Sequence, residues 1–146
     1  MLTRSRQVIR SLQSGMMSSV ARLDPVQEAL LSEPCILVDT EDQVLGSASK
    51  RECHQVVGGT SPLHRAFSLF VFNDRDELLL QQRSDTKITF PGLWTNTCCS
   101  HPLATDLEMV EHDELGVRSA AQRRVELELG VPYTEARLED IKFVTR

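Results

Sequence analysis

Residues 113–132 read DELGVRSAAQRRVELELGVP, and the spacing of their apolar side chains decides what kind of chain this is. Val117, Ala121, Val125 and Leu129 recur every four residues, which places them in one stripe along a helix. The pattern predicts a helix that begins at Asp113 and is stopped by Gly130 and Pro132. Arg124 and Glu128 fall one turn apart on the same face. Two readings stand: a surface ion pair of small energetic weight, or a Glu128 carboxylate presented to a divalent cation.

Upstream of this helix the period changes from helical to extended. A short helical pattern surrounds Val26–Leu31, and Cys35-Ile-Leu-Val-Asp39 reads as a strand. Thr40–Gln43 turns the chain into a partner strand over Val44–Ala48, a hairpin. Gly58, Gly59 and Pro62 mark a loop. RAFSLFVFN, Arg65 to Asn73, is an aromatic and β-branched run suited to a buried strand, and after the turn Asn73–Asp76 the segment Glu77–Arg83 returns as another. Pro91-Gly92 breaks the pattern and Leu93–His101 reads as extended, leading through an acidic loop over residues 103–112. A last strand is expected over Ile141–Val144. Five strands, a helix and a further strand make a mixed α/β (α+β) domain.

The chain has 146 residues, enough for one core. A net charge of −5 argues against a nucleic-acid partner, because a phosphate backbone requires a basic surface. No apolar run reaches the length of a membrane span. Residues 1–33 form a lead, distinct from the body at 34–146. Its first 22 residues hold Arg4, Arg6, Arg10 and Arg22, several serines and no acid. That is the composition either of an organelle transit peptide, which would direct the chain to mitochondria, or of a disordered arm. No cleavable secretory segment is visible, so Cys35, Cys53, Cys98 and Cys99 are expected as free thiols in a reducing compartment.

TNTCCSHP, Thr95 to Pro102, gathers two of these cysteines with a histidine. If it is extended, Thr95, Thr97, Cys99 and His101 share one face, and Trp94, Asn96, Cys98 and Ser100 the other. Cys98 is then a packing residue, while Cys99 is either packing or reactive. A zinc knot of Cys53, His54, Cys98, Cys99 and His101 fits poorly, since structural zinc prefers paired ligands two or more residues apart. His54, His64 and His101 can instead form a three-imidazole site, although each alone reads as an ordinary core or surface histidine. His112, in the acidic loop, reads as solvent-exposed and without a partner. Lys50, Arg83 and Lys87, basic groups on an acidic body, suit a small polyanion such as a diphosphate, though each alone is an ordinary solvated charge.

Taken together, LHRAFSLFVFN, LLLQQRSDTKITFPGLWTNTCCSHP and LGVRSAAQRRVELELGV resemble the type I isopentenyl-diphosphate Δ-isomerases of the animal kind, over roughly Cys35 to Arg146. The resemblance implies a Nudix-type α/β/α sandwich. The Nudix consensus ends R-E-U-x-E-E-x-G-U, and here the end reads RRVELELGV, so Glu128 keeps the metal-binding place while Leu127 replaces the other acid. It further implies interconversion of isopentenyl and dimethylallyl diphosphate through a tertiary carbocation. Cys99 falls on the catalytic cysteine, and His54, His64 and His101 on histidine ligands of a divalent metal (Mg2+, Mn2+ or Zn2+). Glu128 falls on the carboxylate that holds Mg2+ against the substrate diphosphate, and Lys50, Arg83 and Lys87 on the diphosphate-binding bases. Trp94, the only tryptophan, lies in the block where a cation-stabilising ring would be sought, but strand alternation turns it away from Cys99.

The family's second catalytic residue, a glutamate in a Trp-Gly-Glu-x-Glu segment, has no counterpart within the 146 residues. The expectation is therefore a sandwich incomplete at the C-terminal side and a chain of little or no turnover by itself. The competing readings are a non-catalytic form that binds metal or diphosphate, and a Nudix diphosphate hydrolase. A monomer, in the cytoplasm or peroxisome unless the head directs it to mitochondria, completes the expectation.

Overall fold

The computed structural model describes residues 25–87 and 90–146. The arginine- and serine-rich head read in the sequence therefore lies outside the described residues. Helix α1 (Pro25–Leu31) precedes the hairpin of β1 (Pro34–Val38) and β2 (Val44–Ser49). Next come a one-turn helix α2 (Lys50–Cys53), β3 (Phe67–Leu69), β4 (Gln81–Gln82), β5 (Trp94–Thr95) and β6 (Cys98–Ser100). A 3-10 turn (His112–Glu114), the long helix α3 (Leu115–Leu129) and a second 3-10 turn (Leu138–Asp140) follow. The strands pair antiparallel as β1 with β2, β3 with β6 and β4 with β5, so the chain is of mixed α/β class.

β1 is the organising strand. Cys35 and Ile36 are fully buried, and Val38 nearly so. On one edge β1 carries β2. On the other it takes isolated bridges, Leu37 to His64 and Cys35 to Leu103. Val38 N–H donates to Leu63 O (3.1 Å) and Arg65 N–H to Ile36 O (2.9 Å). A buried strand must satisfy its backbone on both edges, and here that requirement brings residues 63–65 and 103 to the same place. The helix α3 packs on β6 and β3. Its buried face contains Ala121 and Val125 of the expected stripe, together with Gly116, Ser119, Ala120 and Arg124. The buried arginine differs from a reading of Arg124 as a surface charge.

Four expectations are corrected by the structure. The helix starts at Leu115 rather than Asp113, because Asp113 (φ 52°) and Glu114 (φ 50°) adopt left-handed backbone that a right-handed helix cannot include. The run RAFSLFVFN is a strand only over Phe67–Leu69, and Phe70 and Phe72 are 54% and 58% exposed. The cause is Thr97: its hydroxyl accepts from Val71 N–H (3.0 Å) and donates to Leu79 O (2.6 Å). A side chain thus stands where a ladder would continue. The hairpin beyond is held by Leu79 N–H to Val71 O (2.8 Å), a Phe72–Leu78 bridge and Asn73 N–H to Glu77 O (3.1 Å). Glu77–Arg83 is correspondingly reduced to β4. Ile141–Val144 is not a strand: no described residue pairs with it, and Val144 is 90% exposed. Among the described residues no helix is long and apolar enough to cross a membrane.

Gly116 sets how closely α3 approaches the loop before it. Its N–H donates to Val110 O (2.8 Å), and a Cβ there would collide with the backbone carbonyls of Glu108 and Val110. Gly116→Ala is expected to destabilise the fold by about 1–3 kcal/mol, the usual result of overpacking a close contact. Urea unfolding measures this, and an unchanged midpoint would mean the loop gives way without cost.

Candidate active site and metal centre

Three histidines from three separate segments meet beside β1. His54 ends α2, whose start is fixed by a capping box: the Ser49 hydroxyl accepts from Glu52 N–H, and the Glu52 carboxylate accepts from Ser49 N–H. His64 sits on the bridge to Leu37, and His101 lies two residues before the bridge at Leu103. Their ring centroids stand 4.9–5.1 Å apart. One ligand nitrogen from each lies within 4.8 Å of the other two. His54 Nδ1–H donates to Lys50 O and His64 Nδ1–H to Pro62 O, both at 2.8 Å. Those bonds select the tautomer that leaves Nε2 with a lone pair. His101 Nδ1 is buried without a hydrogen-bond partner. Burial, then Lys50 and the two neighbouring imidazoles, pushes the His101 pKa down to about 3, so the ring is neutral at pH 7. Three imidazoles crowded together, one with a buried ring nitrogen that has no partner among the described residues, are what a divalent cation would satisfy, and the donor set fits one.

β6 separates the two cysteines. Cys98 is fully buried against α3, with its Sγ donating to Glu128 Oε2 (3.5 Å). Burial, followed by the Glu128 charge, pushes its thiol up to about 12. Cys98 is thus an inert packing thiol, as its strand position predicts. Cys99 is exposed and pairs across the strands with Ser68 of β3. It lines an open cleft of about 280 Å³ with Ala66, Phe67, Ser68, Ser100 and His101. Cys99 and His101 therefore line one cleft. Alternation fails just before: Thr97 and Cys98 are both buried, and Asn96, expected beside Cys98, instead accepts from Cys99 Sγ (3.1 Å). Trp94 is 67% exposed and does not line the cleft.

Beneath β6 lies a second cluster. Glu128 Oε1 is paired with Arg124, which is buried, and lies 3.8 Å from Lys87 Nζ, while its Oε2 accepts from Gln81 Nε2 (3.3 Å). Burial pushes the Glu128 carboxyl up, but Arg124, Gln81 and Lys87 more than offset this and hold it below the usual carboxylate range. Of the two readings of this pair, neither a surface ion pair nor a bare ligand describes it: the carboxylate is half-buried and engaged on both oxygens. Leu127, where the other acid of the box would stand, is 62% exposed. Lys50 is driven below the ordinary lysine value, first by burial and then by the Arg124 charge. Lys50 and Lys87 thus approach Arg124 from two elements. Arg83 is half-buried at the end of β4, its backbone bonded to Leu93 and Gly92. His112 is exposed but not unpartnered, its Nε2 standing 3.2 Å from Asp113 Oδ2.

Sequence reasoning missed Ser68, Asn96 as a neighbour of Cys99, and the one-turn helix carrying Lys50 and His54. Only the last had a local signal, the Ser-x-x-Glu spacing of Ser49 and Glu52.

The chain is similar to known proteins over most of its length. The isopentenyl-diphosphate Delta-isomerase 1 of Bos taurus is 54% identical over 127 residues, which cover 85% of this chain and 55% of that protein. The isopentenyl-diphosphate Delta-isomerase II of Clarkia xantiana is 46% identical over 145 residues, 97% of this chain and 50% of that one. The isopentenyl-diphosphate delta-isomerase of Phaffia rhodozyma is 48% identical over 132 residues, 88% of this chain and 53% of that one. The chain spans about half the length of the curated relatives it matches. The NUDIX domain matches residues 62–145, from the loop before His64 through the helix bearing Glu128, and with more than half of its length accounted for in this way the chain belongs to the NUDIX domain family.

Proposed function

We propose that this chain supplies the thiol, the imidazole metal site and the diphosphate grip of an isopentenyl-diphosphate Δ-isomerase. The observation that carries the reading is the exposed Cys99 thiol opening into the same cleft as His101, one member of the three-imidazole cluster. Similarity to curated isomerases at 46–54% identity supports it.

The chemistry required is proton transfer at an unactivated alkene. The Cys99 S–H bond breaks as the alkene π pair forms a C–H bond at the terminal carbon, the sulfur keeping its own electron pair. A tertiary cation and a Cys99 thiolate result, and transfer of a proton from the neighbouring methylene to a second, basic group gives the dimethylallyl isomer. Two positioned groups are needed for this general acid–base catalysis, and Cys99 is one of them. Lys50 and Lys87 bind the diphosphate by charge, and Arg83 joins them as a planar donor. His54, His64 and His101 would hold a divalent cation, and Glu128 would offer a carboxylate to a magnesium ion. When bound, these cations offset the phosphate charge at one end, which leaves the apolar end to react. With Leu127 in the place of the other acid and turned to solvent, the acid pair that a water-activating hydrolase needs is not assembled.

A chimera in which this chain replaces the matching part of the bovine relative tests the reading. With isopentenyl diphosphate and Mg2+, dimethylallyl diphosphate is the expected product. Cys99→Ala is expected to lower the rate by about 10²–10⁴-fold, the span of a lost general acid, whereas Cys98→Ala keeps it within roughly tenfold. Phosphate release in place of the isomer, or an active Cys99→Ala chimera, would refute the proposal.

The metal centre is tested on the chain itself. Titration with Co2+, followed by its visible absorption, is expected to saturate at one equivalent, to be lost in His101→Ala and retained in Glu128→Gln. Equal binding by the parent and His101→Ala would rule the three imidazoles out.

A further inference from the structure

Cys99 is not simply left at the edge of its cleft. Its sulfur is held from two sides. On the cross-strand side, Ser68 Oγ lies 3.1 Å from Sγ, the two residues being register partners in the β3–β6 ladder. On the chain-local side, Asn96 Oδ1 accepts from the thiol, also at 3.1 Å. That amide oxygen is itself fixed, because Thr95 Oγ1 donates to it at 3.0 Å. With the carbonyl oxygen facing the thiol, the S–H is the donor toward Asn96. The Ser68 hydroxyl is then free to donate to sulfur. The interruption at Thr97 is what makes this possible: it ends regular alternation and swings Asn96 to the Cys99 side of the strand.

We propose that Ser68 and Asn96 are positioning residues that hold the Cys99 side chain in a single rotamer aimed into the cleft. As a role in catalysis, this rests on the isomerase reading above. The two bonds have different tasks. Asn96 orients the loaded thiol and must release the S–H when the proton goes to the substrate carbon. The Ser68 bond accompanies the sulfur through both states, since a hydroxyl donates to a sulfur lone pair before and after the S–H bond breaks. Exposed side chains sample several staggered wells, and an exposed thiol with no partners would spend much of its time turned away from the alkene. The pair removes that freedom from a residue that has no core packing to restrain it.

Two measurements test the proposal, and the first does not depend on turnover. In the 146-residue chain labelled at cysteine, the three-bond Hα–Hβ couplings of Cys99 are expected to report one staggered rotamer. In the Ser68→Ala, Asn96→Ala double variant they are expected to average. Averaged couplings in the parent, or a single rotamer in the double variant, would overturn the positioning role whatever the reaction is. The second uses the chimera with the bovine relative. Ser68→Ala is expected to lower kcat about 5- to 10-fold, the effect of one lost hydrogen bond, with KM for isopentenyl diphosphate unchanged, and Ser68→Thr to restore kcat. A change confined to KM, or no rescue by threonine, would contradict a role exerted through the thiol. A parent chimera with no isomerase activity would sink the isomerase reading instead, leaving the rotamer result to stand or fall by itself.

Discussion

The arrangement around Cys99 depends on an ion pair lodged beneath it. Arg124 and Glu128 lie one helical turn apart on α3, with Arg124 only 3% exposed. A buried pair is costly to desolvate unless its remaining donors and acceptors are satisfied. Here Gln81, Lys87 and the Cys98 thiol supply those contacts to the carboxylate, while Arg124 Nε is buried without a partner among the described residues. Cys98 is thereby committed to the helix side of β6. Side chains alternate along a strand, so Cys99 must face outward and Ser100 inward, and Ser100 is indeed buried. Reversing the register by one residue would expose Cys98, bury the cleft thiol and strip Glu128 of a partner.

Much of this was legible in the sequence, and the reasons for what was not are physical. The spacing of Ala121 and Val125 gives the buried side of α3, Gly130 takes the left-handed φ of 70° that ends it, and the hairpin of β1 and β2 follows from its turn. That Cys98 and Cys99 take opposite faces of the strand follows from alternation alone, whereas a reactive role for Cys99 was implied only by the resemblance. Alternation fails at Asn96 because Thr97 places its hydroxyl where strand hydrogen bonds would run, and no periodicity encodes a side chain acting as backbone. It fails again in RAFSLFVFN and at Ile141–Val144, where an apolar pattern announces strand propensity but the pairing partner is what makes a strand. The burial of Arg124 was illegible for a related reason: a charge enters the interior only where tertiary partners await it.

The metal centre shows the limit most clearly. His54, His64 and His101 are separated by ten and then thirty-seven positions. Neither interval carries a local geometric meaning. They converge because β1 needs partners on its free edge, and the segments that supply them, around His64 and Leu103, bring two of the imidazoles along. Resemblance could point to the three residues, but only the pairing of β1 explains their meeting. The same convergence sets the electrostatics: burial first, then Lys50 and the two neighbouring imidazoles, keeps His101 uncharged, which suits a ligand.

The central claim is that the buried pair fixes which sulfur faces the cleft, and native-state alkylation reads it directly. A brief pulse of iodoacetamide on the folded chain, quenched and mapped by peptide fragmentation, should carbamidomethylate Cys99 while Cys35, Cys53 and Cys98 react only after unfolding. Labelling of Cys98 at a rate matching that of Cys99 would contradict the account, since it would mean that β6 does not hold the register on which every other part of the site depends.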